Sequence, residues 1–159
     1  MTVLNIVPEC FVDTRLAEIV SQSAKKYNHQ HGHGNVASKM QLTLAESPAL
    51  GIIDEDTTKV RKANYFSDFI QLKDEYSLKL KKHLLRAHYL IVICPAIEKW
   101  LLQAASGVNV DPVAFNLPHE LAGFAQISKV DDISKNINFY RFVKELIRKE
   151  SPGILTLKN

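Results

Sequence analysis

Short apolar runs alternate along the chain with stretches whose apolar residues recur every three to four positions. Val3 to Val7 is a β-branched run that ends at Pro8-Glu9 and reads as a buried strand. Asp13-Thr14 offers an N-cap, and Leu16, Ile19 and Val20 then share one helical face. Residues 28–35, NHQHGHGN, form a loop, after which Val36, Met40 and Leu44 follow helical spacing until Pro48. Ala49 to Ile53 is a second buried strand. Asp68 to Leu80 alternates roughly and predicts one or two exposed strands, and His88 to Cys94 is a third buried strand. IEKWLLQAAS then reads as a helix with Gly107 near its end. NLPHELAGFAQI predicts a short helix, Ile137 to Lys149 an amphipathic one, and Ser151-Pro152-Gly153 closes it.

Buried strands separated by helices imply an α/β fold with a mainly parallel central sheet flanked by helices. The division falls into an α/β domain over residues 1–105 and a mostly helical C-terminal extension, 106–159, packed on the same domain. In open α/β sheets ligands bind outside the carboxyl ends of the strands. Three strands here are each followed by acid: Glu9 after the first, Asp54 and Asp56 after the second, Glu98 one turn past the third. Parallel strands bring those acids to one edge.

The 159 residues suit a single core. With 20 basic against 17 acidic residues, the net charge of +3 permits nucleic-acid binding without demanding it. MTVLNIVPE is too short for a secretory signal, and Cys10 and Cys94 lie far apart, so a reduced, cytoplasmic setting is expected. No apolar run approaches the roughly 20 residues that span a bilayer, so no membrane role is expected. HYLIVICPAIEKWLL is broken by Pro95, Glu98 and Lys99.

Asp54 and Asp56, two apart on an extended segment, face the same side, with Glu55 turned away. Paired carboxylates of this kind suit Mg²⁺ or Mn²⁺, which prefer hard oxygen ligands. The alternative is a capping role, with Asp56 closing a turn before Thr57-Thr58. For a cation that would steady a phosphoryl group, Lys59, Arg61, Lys62 and Lys99 are available, with Lys99 preferred because it adjoins Glu98.

IVPECFVD and GIIDED together resemble the Toprim domain, the fold shared by topoisomerases, primases and OLD-type nucleases. That pattern has a glutamate ending the first strand, an acid four residues on, and Asp-x-Asp ending a later strand; Glu9, Asp13, Asp54 and Asp56 match it. CPAIEKWLL resembles an acidic helix found in OLD-like members, with Glu98 as the acid. The resemblance covers about residues 1–105 and implies a Rossmann-like fold and a stand-alone, Mg²⁺- or Mn²⁺-dependent nuclease. It further implies Glu9, Asp13, Asp54, Asp56 and Glu98 as metal ligands and Glu9 as general acid or base. The family often has glycine where this chain has Cys10. Stand-alone members resemble the nuclease halves of phage-defence systems, so a nucleic-acid substrate, a separate ATPase partner and a homodimer are all compatible. The chain itself carries no GxxxxGK[ST].

HQHGHG admits three readings: a plain turn, a phosphate contact through the backbone at Gly32 and Gly34, or zinc held by His29, His31 and His33. Trp100 is expected in the core. Lys79, Lys81, Lys82 and Arg86 form either a solvated face or a backbone-phosphate contact. Two rivals stand beside the nuclease. One is a non-catalytic, degenerate Toprim-like binding module acting with a protein partner. The other is a phosphoester hydrolase on a Rossmann-like sheet.

Overall fold

The computed structural model describes residues 4–24, 26–55, 64–129 and 131–159. Asp56, Lys59, Arg61 and Lys62 fall outside them. Five strands form one sheet in the order β1-β2-β5-β4-β3: β1 Asn5–Pro8, β2 Ala49–Asp54, β3 Phe69–Glu75, β4 Leu78–His83 and β5 His88–Ile93. β1, β2 and β5 are parallel, whereas β4 runs antiparallel to both β5 and β3. The fold is α/β, but its sheet is mixed rather than purely parallel.

The reason lies in residues 69–83. β2 and β5 are covered on both faces, as their apolar runs require. β3 leaves six of its seven residues exposed and carries Lys73, Asp74 and Glu75, charges that discourage pairing at a free edge. Tyr76 and Ser77, both left-handed at φ 51° and 60°, make the two-residue turn that returns the chain as β4.

Helix α1, Phe11–Ser21, buries Val12, Leu16, Ile19 and Val20. Its N-cap is Cys10 rather than Asp13 or Thr14. Asp13, at the third helical position, accepts a bond from the Cys10 N–H and so acts from inside the first turn. Helix α2, His33–Ser38, runs into a π turn over Lys39–Thr43 and covers the opposite face of the sheet. There Gly51 allows the close approach: a Cβ on it would stand 2.9 Å from Leu90 Cδ1 and from Met40 Sδ.

Helices α3, Ile97–Ser106, α4, Leu121–Ser128, and α5, Ile137–Arg148, follow. Ser151-Pro152 does not end the helical region. It opens a further helix, α6, Pro152–Lys158, with proline at the first position. The C-terminal helices share one core with α1 and α3, in which Phe124, Phe139, Phe142, Leu146 and Ile154 pack with Leu16, Leu101 and Trp100. Trp100 is buried as expected, and its Nε1–H donates to the Tyr76 carbonyl at 2.9 Å. Among the described residues no helix is long and apolar enough to cross a membrane.

Candidate functional site

The acids that follow β1 and β2 meet at the carboxyl edge of these strands. Glu9 leaves β1, Asp13 lies in the first turn of α1, Asp54 ends β2, and Glu98 lies in the first turn of α3. Each is fixed through one oxygen. The Asp54 N–H donates to Glu9 Oε2 at 3.1 Å, tying two strand ends together. The Ile97 N–H donates to Asp54 Oδ1 at 3.1 Å, so the start of α3 holds that carboxylate. Asp13 Oδ2 accepts from the Cys10 backbone N–H at 3.3 Å and from its thiol at 3.1 Å. The Ser128 hydroxyl donates to Glu98 Oε1 at 2.5 Å, which brings α4 to the same edge.

These charges act on one another. Asp13 is 1% exposed, and its carboxyl is pushed up to about 7, first by loss of solvent and then by the charges of Glu9 and Glu98. Asp54 is pushed up to about 8, again first by burial and then by Asp13, Glu9 and Glu98. Asp13 Oδ1 is buried without a hydrogen-bond partner among the described residues. The Cys10 thiol is driven far above its usual range by burial and by Asp13, so it is no nucleophile.

His33 joins this edge, a position not expected from its spacing. Its Nε2 lies 3.2 Å from Glu9 Oε2, near enough for an ion pair though outside hydrogen-bond geometry. The contact with Glu9 raises its pKa against the opposing effect of burial. The loop is brought there by two backbone bonds, from the Gln30 N–H to the Pro8 carbonyl and from the His31 N–H to the Glu9 carbonyl. Alternation of the three histidines was the available signal, since it turns His33 to the same side as His29 and His31 only if the chain stays extended. Gly32, at φ 107°, breaks that extension.

No protein-family model, curated protein or solved structure matches this chain.

Glu55 turns away from the acids, as expected, and pairs with Lys79 of β4. Lys99 is exposed on α3. Gly32 caps α2, and Gly34 is exposed in its first turn; a Cβ on either would meet nothing within 4 Å. Only the backbone angle at Gly32 calls for glycine. Oxygen donors and one unpartnered buried carboxylate oxygen suit a hard divalent cation. Among the described residues, however, no three histidine, cysteine, aspartate or glutamate side chains already surround one point where an ion would be held. The donor set fits a cation in kind, and side-chain rotation is needed to close a ligand shell.

Proposed function

We propose that the chain is a Toprim-like phosphotransfer enzyme, dependent on Mg²⁺ or Mn²⁺, that cleaves nucleic acid at the edge formed by β1 and β2. The observation that carries the proposal is Asp13 Oδ1, a buried carboxylate oxygen with no partner among the described residues, beside three further carboxylates drawn from separate segments. Capping α1 uses only Asp13 Oδ2. Asp13 and Asp54, with Glu9 and Glu98 beside them and Asp56 following in the chain, would hold the cation. When bound, it supplies Lewis-acid polarisation of a phosphoryl oxygen and a water of lowered pKa. Glu9 would take or return a proton, a role supported by its bond from the Asp54 N–H and its contact with His33. Lys99, exposed one position past Glu98, serves as a contact to the phosphate backbone.

The test is calorimetry of Mg²⁺ and Mn²⁺ against the native chain and Asp54→Asn, followed by incubation of each with single- and double-stranded oligonucleotides. Binding and cleavage that both disappear in Asp54→Asn support the enzyme. The second reading, a non-catalytic module with a protein partner, is favoured by the absence of a ready-made ion shell among the described residues and by Cys10 at the helix start. A native chain that neither binds Mn²⁺ nor cleaves either substrate would overturn the enzyme reading and favour the second.

A further inference from the structure

His29 and His31 are not part of the carboxylate edge. Their Nε2 atoms face each other at 2.8 Å, and their rings stand nearly perpendicular with centroids 4.1 Å apart. Phe11 of α1 backs both, with its ring 3.9 Å from that of His29 and 5.9 Å from that of His31. The backbone beneath is fixed. Gln30 and His31 donate to the carbonyls of Pro8 and Glu9, and Asn35 Nδ2 donates to the His31 carbonyl at 3.1 Å. His31 itself is held left-handed at φ 57°, a conformation a residue with a Cβ adopts at a cost.

A solvent-facing imidazole pair gains little from a single N–H···N bond, because water competes for both nitrogens. That gain does not account for the left-handed backbone at His31 or for the phenylalanine that backs the pair. Two imidazoles whose Nε2 atoms lie this close are, by contrast, a donor pair for late first-row divalent ions.

We propose that His29 and His31 form a transition-metal site, with Zn²⁺ as its natural occupant, separate from the carboxylate edge. Tetrahedral zinc with Zn–N bonds of about 2.0–2.1 Å separates two ligand nitrogens by about 3.3 Å. The pair therefore opens by about half an ångström, which rotation of two side chains at the surface supplies. His33 is not the third ligand, because its Nε2 is turned to Glu9. The remaining positions go to water or to an anionic ligand. The two sites differ in ligand chemistry: imidazoles for Zn²⁺, Ni²⁺ and Cu²⁺, carboxylates for Mg²⁺ and Mn²⁺.

The experiment is calorimetric titration of the full chain with Zn²⁺, together with Cu²⁺ electron paramagnetic resonance to count coordinated nitrogens. Native protein is compared with His29→Ala, His31→Ala, the exposed control His119→Ala, and Asp54→Asn. The proposal expects two coordinated nitrogens. It also expects zinc affinity to fall at least tenfold in each of His29→Ala and His31→Ala, and to stay unchanged in His119→Ala and Asp54→Asn. Zinc binding that survives both histidine substitutions, that is lost only with Asp54, or that is absent from the native chain overturns it. Should an alanine variant fail to fold by circular dichroism, His29→Gln and His31→Gln give the same reading, since they keep the bulk against Phe11 and remove the imidazole. Failure of the nuclease reading would leave this result untouched, because the proposed zinc ligands are not among the carboxylates on which that reading depends.

Discussion

Asp13→Asn should make the metal-free protein more stable. The carboxyl is 1% exposed and is raised from 3.8 to about 7. At 1.36 kcal/mol per unit, that raise amounts to about 4 kcal/mol of destabilisation once the group is ionised, above pH 7. The sign follows from the direction. A buried acid with a raised pKa favours the fold while protonated, and its contribution is lost as pH rises through the folded value. Asparagine keeps an oxygen for the Cys10 N–H and removes the charge, but it buries an amide in place of Oδ1, which returns about 1–2 kcal/mol. A net gain of about 2–3 kcal/mol is expected at pH 8, or about 4–12 °C in Tm for a chain of this length.

Thermal unfolding with and without Mg²⁺ provides the assay. At pH 8 without metal the variant should melt above the native chain. At pH 5, where Asp13 is protonated in the fold, the burial term falls below about 2 kcal/mol and the advantage should shrink or vanish. Added Mg²⁺ should raise the native Tm and leave the variant much less changed, because a cation that binds only the folded state stabilises it by mass action. A variant that melts lower than native at pH 8, or equal Mg²⁺ shifts in both proteins, refutes the reasoning that Asp13 is a strained ligand. It would then be an ordinary helix cap.

Three further outcomes follow from other parts of the structure. Gly51→Ala sets a Cβ 2.9 Å from Leu90 and Met40 and should lower stability by about 1–3 kcal/mol in urea unfolding; no loss would mean that α2 is not held against β2 as described. By NMR titration, His33 should hold its proton to higher pH than a free histidine, and Glu9→Gln should bring it down; an unchanged value in that variant would show that Glu9 is not the cause. Both thiols should resist iodoacetamide at pH 7.5 in the native state, since burial pushes Cys94 up to about 11 and Cys10 further; rapid labelling of Cys10 would contradict its bond to Asp13.

How far the sequence could be read varied with how local each determinant is. β1, β2 and β5 announced themselves because strands buried on both faces are continuously apolar, and the acids at their ends followed from strand direction. The β3–β4 hairpin was visible as exposed strands, but its turn was not, because Tyr76-Ser77 lacks the usual Asn-Gly. Tertiary bonds hold it instead, from Trp100 Nε1–H to the Tyr76 carbonyl and from the Cys94 N–H to the Ser77 carbonyl. Ser151-Pro152 was ambiguous by nature, since a helix stop and a helix start use the same residues. His33 could not be found from spacing, because its place beside Glu9 depends on a loop pinned to β1 and turned by Gly32.

The same distinction bears on what the acids are for. A carboxylate that only caps a helix gains from ionisation, because helix N–H groups and the macrodipole favour its charge. Asp13 occupies such a position and yet is raised, as is Asp54 where the α3 N-terminus binds it. Burial and mutual repulsion outweigh two helix starts at once. Local rules and tertiary placement conflict here, and such conflicts concentrate at functional sites because a stable core would not keep them. Ser128, the Ile97 N–H and the Cys10 N–H each hold one oxygen and leave the carboxylates crowded rather than neutralised. Neutralisation by protons persists to about pH 7 to 8, where Asp13 and Asp54 give them up. Above that a cation would serve the same end, which is why the proposed chemistry is set at this edge rather than on the basic run from Lys79 to Arg86.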